Sequence, residues 1–261
     1  MTDEIDDLSR SAVLHAACFP SEAAGKLAGH LYRFNRIPLT PRIRRRFPDA
    51  LAVEDYLVGG ASASSALRGW GRTPIMEGYE CWMILRRGSR RGPGRGRSRG
   101  RASHKLYVAV DVDIVRDALH EAVQAAAAAD VGTMKVGVTA DALVRPDKLI
   151  IYATDREQLE AVTAELAPKL KGVPGHAVPF TSATASEGPL SWGMDPPESL
   201  REHGVSWRNL ICRQLGVAIA AAHGTEEERS ASALERLKEI GIDPATWTLR
   251  GTWDDVTPAV A

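Results

Sequence analysis

Between Lys105 and Phe180 the apolar spacing switches repeatedly between the two-residue period of a strand and the 3.6-residue period of a helix. Lys105 to Val110 alternates and is rich in strand-forming residues. Ile114 to Ala129 places Val115, Ala118, Leu119, Ala122, Val123 and Ala126 on one helical face. Thr133 to Val138 and Leu149 to Ala153 read as strands. Asp155 then caps a helix that runs to Leu170 with Leu159, Val162, Leu166 and Leu170 in one stripe. Gly172 to Pro174 stops it, and His176 to Phe180 is expected as a last strand. The order β-α-β-β-α-β is the split βαβ arrangement of ferredoxin-like modules. It predicts an α+β fold with a mixed or antiparallel sheet flanked by helices.

The flanks are simpler. Residues 8–31 carry helical spacing that Pro20 divides into two helices, with Ser21 as the N-cap of the second. Leu31 to Pro48, aromatic, arginine-rich and broken by proline, is expected as an ordered loop. Glu80 to Leu85 reads as a strand. The Arg86–Arg101 tract holds eight arginines and many glycines, so it cannot bury apolar surface. It is expected as a loop, a hairpin insertion between two strands. Residues 206–222 form an apolar helix begun by Ser206, and 226–240 a polar one. Ser191 to Pro197 is expected as a rigid loop. These signals divide the chain into an N-terminal helical and loop region (1–79), a core (80–225, with a loop at 86–103) and a C-terminal helix and tail (226–261).

Composition excludes several classes. The formal net charge is zero over 261 residues, so no global field favours nucleic acid. Cys18, Cys81 and Cys212 are scattered and odd in number, which argues against a disulfide framework or a structural zinc site. The acidic Met1–Asp7 segment lacks the pattern of a secretory signal, and no apolar run reaches membrane-helix length. The expectation is a cytoplasmic protein. Asp111 and Asp113 alternate like a metal pair but have no third ligand at a suitable spacing, and capping accounts for Asp113.

The candidate chemistry lies in the strands. Lys105 and Lys135 interrupt apolar strands, and lysine is rarely buried without a demand for it. Alternation puts Lys105 and Tyr107 on one face and Leu106 and Val108 on the other. A solvated face decorated by lysines is the alternative. Arg145-Pro146-Asp147-Lys148 precedes the strand that carries Tyr152. Ser206-Trp207-Arg208-Asn209 opens a helix with an arginine in its first turn, suited to an anion, and Arg213 follows just over a turn later.

In this order the pieces resemble the phosphothreonine lyases of bacterial secreted effectors and the related lyase components of lanthipeptide and thioamitide biosynthesis. The resemblance covers roughly Lys105 to Arg213, and its sharpest part is Ser206-Trp207-Arg208-Asn209. It implies elimination of phosphate from a phosphorylated serine or threonine in a peptide, without metal or organic cofactor. Lys135 matches the base that removes the Cα proton, and Lys105 the lysine that stabilises the enolate. A base lysine must act as the neutral amine, which burial and neighbouring cations favour. Arg145, Arg208 and Arg213 match phosphate-binding arginines, with Lys148 as a further substrate contact and Tyr152 as a strand tyrosine near the site. Tyr107 stands where the effectors carry an acidic histidine, which leaves His104 and His176 as other candidate acids. No kinase signature is present, so the resemblance implies a separate kinase and a precursor peptide with leader and core. The readings from other classes are a catalytically inactive phosphopeptide-binding relative and an RNA-binding ferredoxin-like module. The latter lacks base-stacking strand aromatics.

Overall fold

A computed structural model describes residues 2–59, 67–74, 81–87, 103–184, 188–196 and 205–250. The helices are α1 (Thr2–Ala17), α2 (Ala24–Arg33), α3 (Pro41–Arg46), α4 (Ala50–Val58), α5 (Val115–Ala128), α6 (Ala140–Leu143), α7 (Arg156–Leu166), α8 (Trp207–Ala221) and α9 (Glu226–Glu239). The strands are β1 (Trp70–Pro74), β2 (Cys81–Arg86), β3 (His104–Val108), β4 (Thr133–Gly137), β5 (Leu149–Ala153), β6 (Ser182–Ala183), β7 (Leu190–Met194), β8 (Ile242–Asp243) and β9 (Thr248–Leu249). The chain is α+β, and it divides into two compact units. One comprises residues 1–34, 177–183 and 193–261, the other 35–176 and 184–192.

The second unit is built on a sheet in the order β1-β2-β4-β5-β3-β7, with antiparallel pairing along β1-β2-β4-β5-β3. The part β4-β5-β3-β7 is the strand order that a split βαβ module requires. Its fourth strand is β7, in place of the expected His176–Phe180 segment. Gly175 makes only an isolated bridge to Val110, and Phe180 takes a left-handed backbone with φ of 61°. Leu106, Val108, Met134, Val136, Leu149 and Ile151 fill one face of the sheet and join the apolar stripes of α5 and α7 in one core. Asp155 caps α7 by accepting from the Gln158 amide at 2.8 Å, as its sequence predicts.

Four local expectations are corrected in this unit. β2 pairs with β1 and β4, so the strands either side of the arginine-rich tract are not hairpin partners; residues 88–102 of that tract lie outside the described residues. The arginine-rich segment after Pro38 is helical, because the Thr40 hydroxyl caps the Ile43 amide and Pro41 occupies the first turn. The Leu190–Met194 part of the expected loop is strand. Asp113 caps nothing: Arg42 and Arg46 both hold its carboxylate.

The first unit is helical around its own core of Val13, Leu27, Leu31, Ile211, Leu215 and Leu237. Helix α2 starts at Ala23 without a side-chain cap, so Ser21 does not serve as one. Helices α2 and α8 approach so closely that a Cβ on Gly216 would lie 2.5 Å from the Ala24 carbonyl oxygen. Ser206 caps α8 on the Asn209 amide at 3.4 Å, and Thr225 and Glu228 close a capping box on α9. The expected tail is partly seen as the β8–β9 hairpin, while Trp253 lies outside the described residues. No described helix is long and apolar enough to cross a membrane.

Candidate functional site

Strand register brings the sequence candidates of the second unit onto one face of the sheet. Lys135 sits opposite Ile150 and Met83, Tyr107 opposite Ile150, and Lys105 opposite Tyr152. Directly paired residues share a face, as do residues two apart on a strand. Lys105, Tyr107, Lys135 and Tyr152 therefore point to the same side, away from the apolar core. Lys148, two residues before Ile150, continues that row.

This face is not the solvated surface that its lysines alone would allow. Lys105 is 6% exposed and Tyr107 is 2% exposed, while Lys135 and Tyr152 are half-buried. The Lys105 ammonium lies 5.4 Å from the centre of the Tyr152 ring, in cation–π range. Burying an ammonium is unfavourable unless something compensates it, and the face of the Tyr152 ring is one such partner.

At the end of β3 stands a second group of charges. Lys148 is almost wholly buried and donates to the Val110 carbonyl at 2.7 Å. Burial pushes its amine down from 10.5 to about 8, against the pull of Asp111 and Asp147. His176 faces Asp111, Nε2 to Oδ1 at 3.3 Å. Burial, and then the charge of Lys148, lower the His176 pKa against the opposing effects of Asp111 and a backbone hydrogen bond. Asp147 grips Arg145 through Nε and Nη2 at 2.8 and 2.9 Å, a bidentate pair that fixes the guanidinium plane. Asp147 was not among the sequence candidates. The signal for it was its place two residues after Arg145 across Pro146.

The sign of the Lys148 effect is testable. Below about pH 8 the amine is protonated in the folded and the unfolded chain, and its desolvation weighs against folding. Between about 8 and 10.5 the unfolded chain binds a proton that the folded chain does not, so stability rises with pH. The gain across the window is roughly 3 kcal/mol at most. In urea melts between about pH 7.5 and about pH 10, wild type should therefore gain stability relative to Lys148→Met. Parallel profiles would contradict the burial of a titrating amine. The same variant should raise the titration midpoint of His176, followed by NMR.

The remaining candidates fall elsewhere. His104 lies one residue from Lys105, so strand alternation turns it to the opposite face. There it bonds Ser103 Oγ at 2.7 Å and packs 6.0 Å from the Trp192 ring. In the first unit, Arg208 is 1% exposed and donates to the Pro179 and Tyr32 carbonyls at 3.0 and 3.1 Å, its guanidinium over the Tyr32 ring. Arg213 is exposed on the same helix. Among the described residues, no three His, Cys, Asp or Glu side chains are gathered as for a metal ion.

No protein-family model and no curated protein sequence matches the chain. Solved structures do. An effector protein from Pseudomonas syringae pv. tomato strain DC3000 overlaps with a TM-score of 0.58 at 14% identity, over 94% of this chain and 100% of that one. An effector from Pseudomonas syringae pv. syringae strain 61 overlaps with a TM-score of 0.54 at 16% identity, over 95% and 100%. The phosphothreonine lyase SpvC, an effector from Salmonella, aligns at 13% identity over 81% and 100%, with a TM-score of 0.34. An overlap that loose carries no argument about chemistry. With the two Pseudomonas effectors the chain shares its fold.

Proposed function

We propose that this chain is a lyase that eliminates phosphate from phosphoserine or phosphothreonine in a peptide, leaving dehydroalanine or dehydrobutyrine. The observation that carries the reading is the buried sheet face on which Lys105, Tyr107, Lys135 and Tyr152 stand together. The amine nitrogen of Lys135 takes the Cα proton. The ammonium of Lys105 stabilises the enolate oxygen that develops at the neighbouring carbonyl. Electrons then close the Cα–Cβ double bond as the Cβ–O bond to phosphate breaks. The Tyr107 hydroxyl protonates the departing oxygen, and Arg145, aligned by Asp147, grips the phosphate. Inorganic phosphate leaves with that proton, so atoms and charge balance.

Arg208 and Arg213 belong to the first unit, and their phosphate-binding roles rest on the resemblance alone, Arg208 within the Ser-Trp-Arg-Asn motif and Arg213 beyond it. The same resemblance suggests a ribosomally made precursor peptide, with leader and core, phosphorylated by a separate kinase. Its product would be the dehydrated peptide of lanthipeptide-like biosynthesis.

Tyr107 distinguishes this reading from non-catalytic phosphopeptide binding. Tyr107→Phe should reduce turnover by about a hundredfold or more while leaving binding of the phosphopeptide intact. Tyr107→His should retain activity at acidic pH, with the rate falling as the imidazolium loses its proton, below the ordinary histidine value of about 6.5 because the position is buried. A Tyr107→Phe protein with unchanged turnover would remove Tyr107 as the acid. The reading itself is tested by incubating a phosphothreonine peptide with the protein and a thiol. A thiol adduct formed in step with phosphate release is expected, because dehydroamino acids accept thiolates. Bound peptide with neither adduct nor phosphate would favour a phosphopeptide reader.

A further inference from the structure

Helix α3 and the segment after β3 enclose a cavity of about 240 Å³ within the second unit. Its floor is apolar (Ile37, Ile43, Phe47 and Val112), and Arg42, Arg46, Asp111 and Asp113 stand at its rim. Organic ligands occupy pockets of about 300 to 1,000 Å³; this one has room for a single large side chain. Its walls are fixed. Tyr56 donates to the Asp113 carbonyl at 2.8 Å, and the Arg46 guanidinium lies over the Tyr56 ring at 4.6 Å.

The lining itself is balanced, Arg42 and Arg46 against Asp111 and Asp113, and the excess of positive charge lies on the helix. Four of the six residues of α3 are arginines and none is acidic. The rim pair is also exchangeable, because the Arg42 side chain is 76% exposed and that of Asp113 54%. An ion pair in such contact with water contributes little. An incoming carboxylate can therefore take the place of Asp113 on Arg42 at small cost, with the exposed Arg44 and Arg45 beside it.

We propose that this cavity docks an acidic peptide segment, one apolar side chain filling the pocket and flanking carboxylates engaging the arginines of α3. Arginine clusters recognise acidic motifs in this way, and apolar anchors fix their register. The apolar pocket, sized for one side chain, is used by a peptide and not by the phosphate backbone of a nucleic acid. Asp111 also faces His176, so the docked segment lies beside the charged group at the end of β3. On the lyase reading this segment is the part of the substrate peptide that does not react. Docking is measured without turnover, so the two ideas fail separately.

The test uses the full chain and a fluorescein-labelled, unphosphorylated peptide with one leucine between runs of glutamate, followed by anisotropy. Saturable binding should weaken at least tenfold with Arg42→Glu, and likewise when glycine replaces the leucine. It should also weaken as salt rises from about 0.05 to 0.5 M. Arg44→Glu/Arg45→Glu, on exposed positions, should weaken it severalfold and covers the case of an unfolded Arg42 variant. Equal affinity for the charge-reversed variants or for the leucine-free peptide would overturn the proposal. So would tighter binding of an RNA oligonucleotide of equal charge, or no binding at all.

Discussion

Lys135→Ala should abolish elimination, lowering the rate of phosphate release by about a thousandfold while the fold persists. General bases contribute roughly 10² to 10⁴ to such reactions. Lys135 sits in the middle of β4, opposite Ile150, which in turn faces Tyr107 on β3. Base and proton donor thus belong to one row across three strands. Because Lys135 is only half-buried, its truncation removes a reacting group without opening the core. Thermal melting should move by no more than a few degrees. Normal turnover by Lys135→Ala would remove Lys135 as the base and make Lys148, the lysine of this face pushed down to about 8, the next candidate.

Arg208→Ala should show the opposite pattern, with stability as the main loss. The guanidinium satisfies two backbone carbonyls, of Pro179 and Tyr32, from a position 1% exposed. Its removal leaves the buried Pro179 carbonyl and the part-buried Tyr32 carbonyl without this donor, at about 1 to 3 kcal/mol for a fully buried group. A loss near 3 kcal/mol corresponds to a fall in Tm of roughly 6–12 °C for a chain of this size. Arg208→Lys should recover only part of it, because one ammonium cannot reproduce a planar fork. An unchanged Tm with weakened phosphate affinity would mean that Arg208 acts mainly on the substrate.

The central module was legible because its signals are local. Period-two and period-3.6 patterns specify β3, α5, β4, β5 and α7 wherever the chain goes, and Asp155 marks the start of α7 by itself. The last strand was misplaced because His176 to Phe180 follows the helix stop and carries Val178 and Phe180, both strand formers, yet holds Pro179 and a left-handed Phe180. The true β7, Leu-Ser-Trp-Gly-Met, has the weaker strand signal. Helix α3 was missed because four arginines leave it no apolar stripe; Thr40 and Pro41 were the cues that remained. The same limit applies to the site. Alternation alone sets Lys105 beside Tyr107, but only register across β4, β5 and β3 brings Lys135 to them. Register is a non-local property that the hydrophobic pattern of one strand does not contain.

The mass of the product is the most direct test of phosphate elimination. A phosphothreonine peptide incubated with the protein should lose one whole phosphoric acid, and the loss should vanish with Lys135→Ala. Loss of the phosphoryl group alone, with the threonine hydroxyl restored, would show hydrolysis and contradict the mechanism.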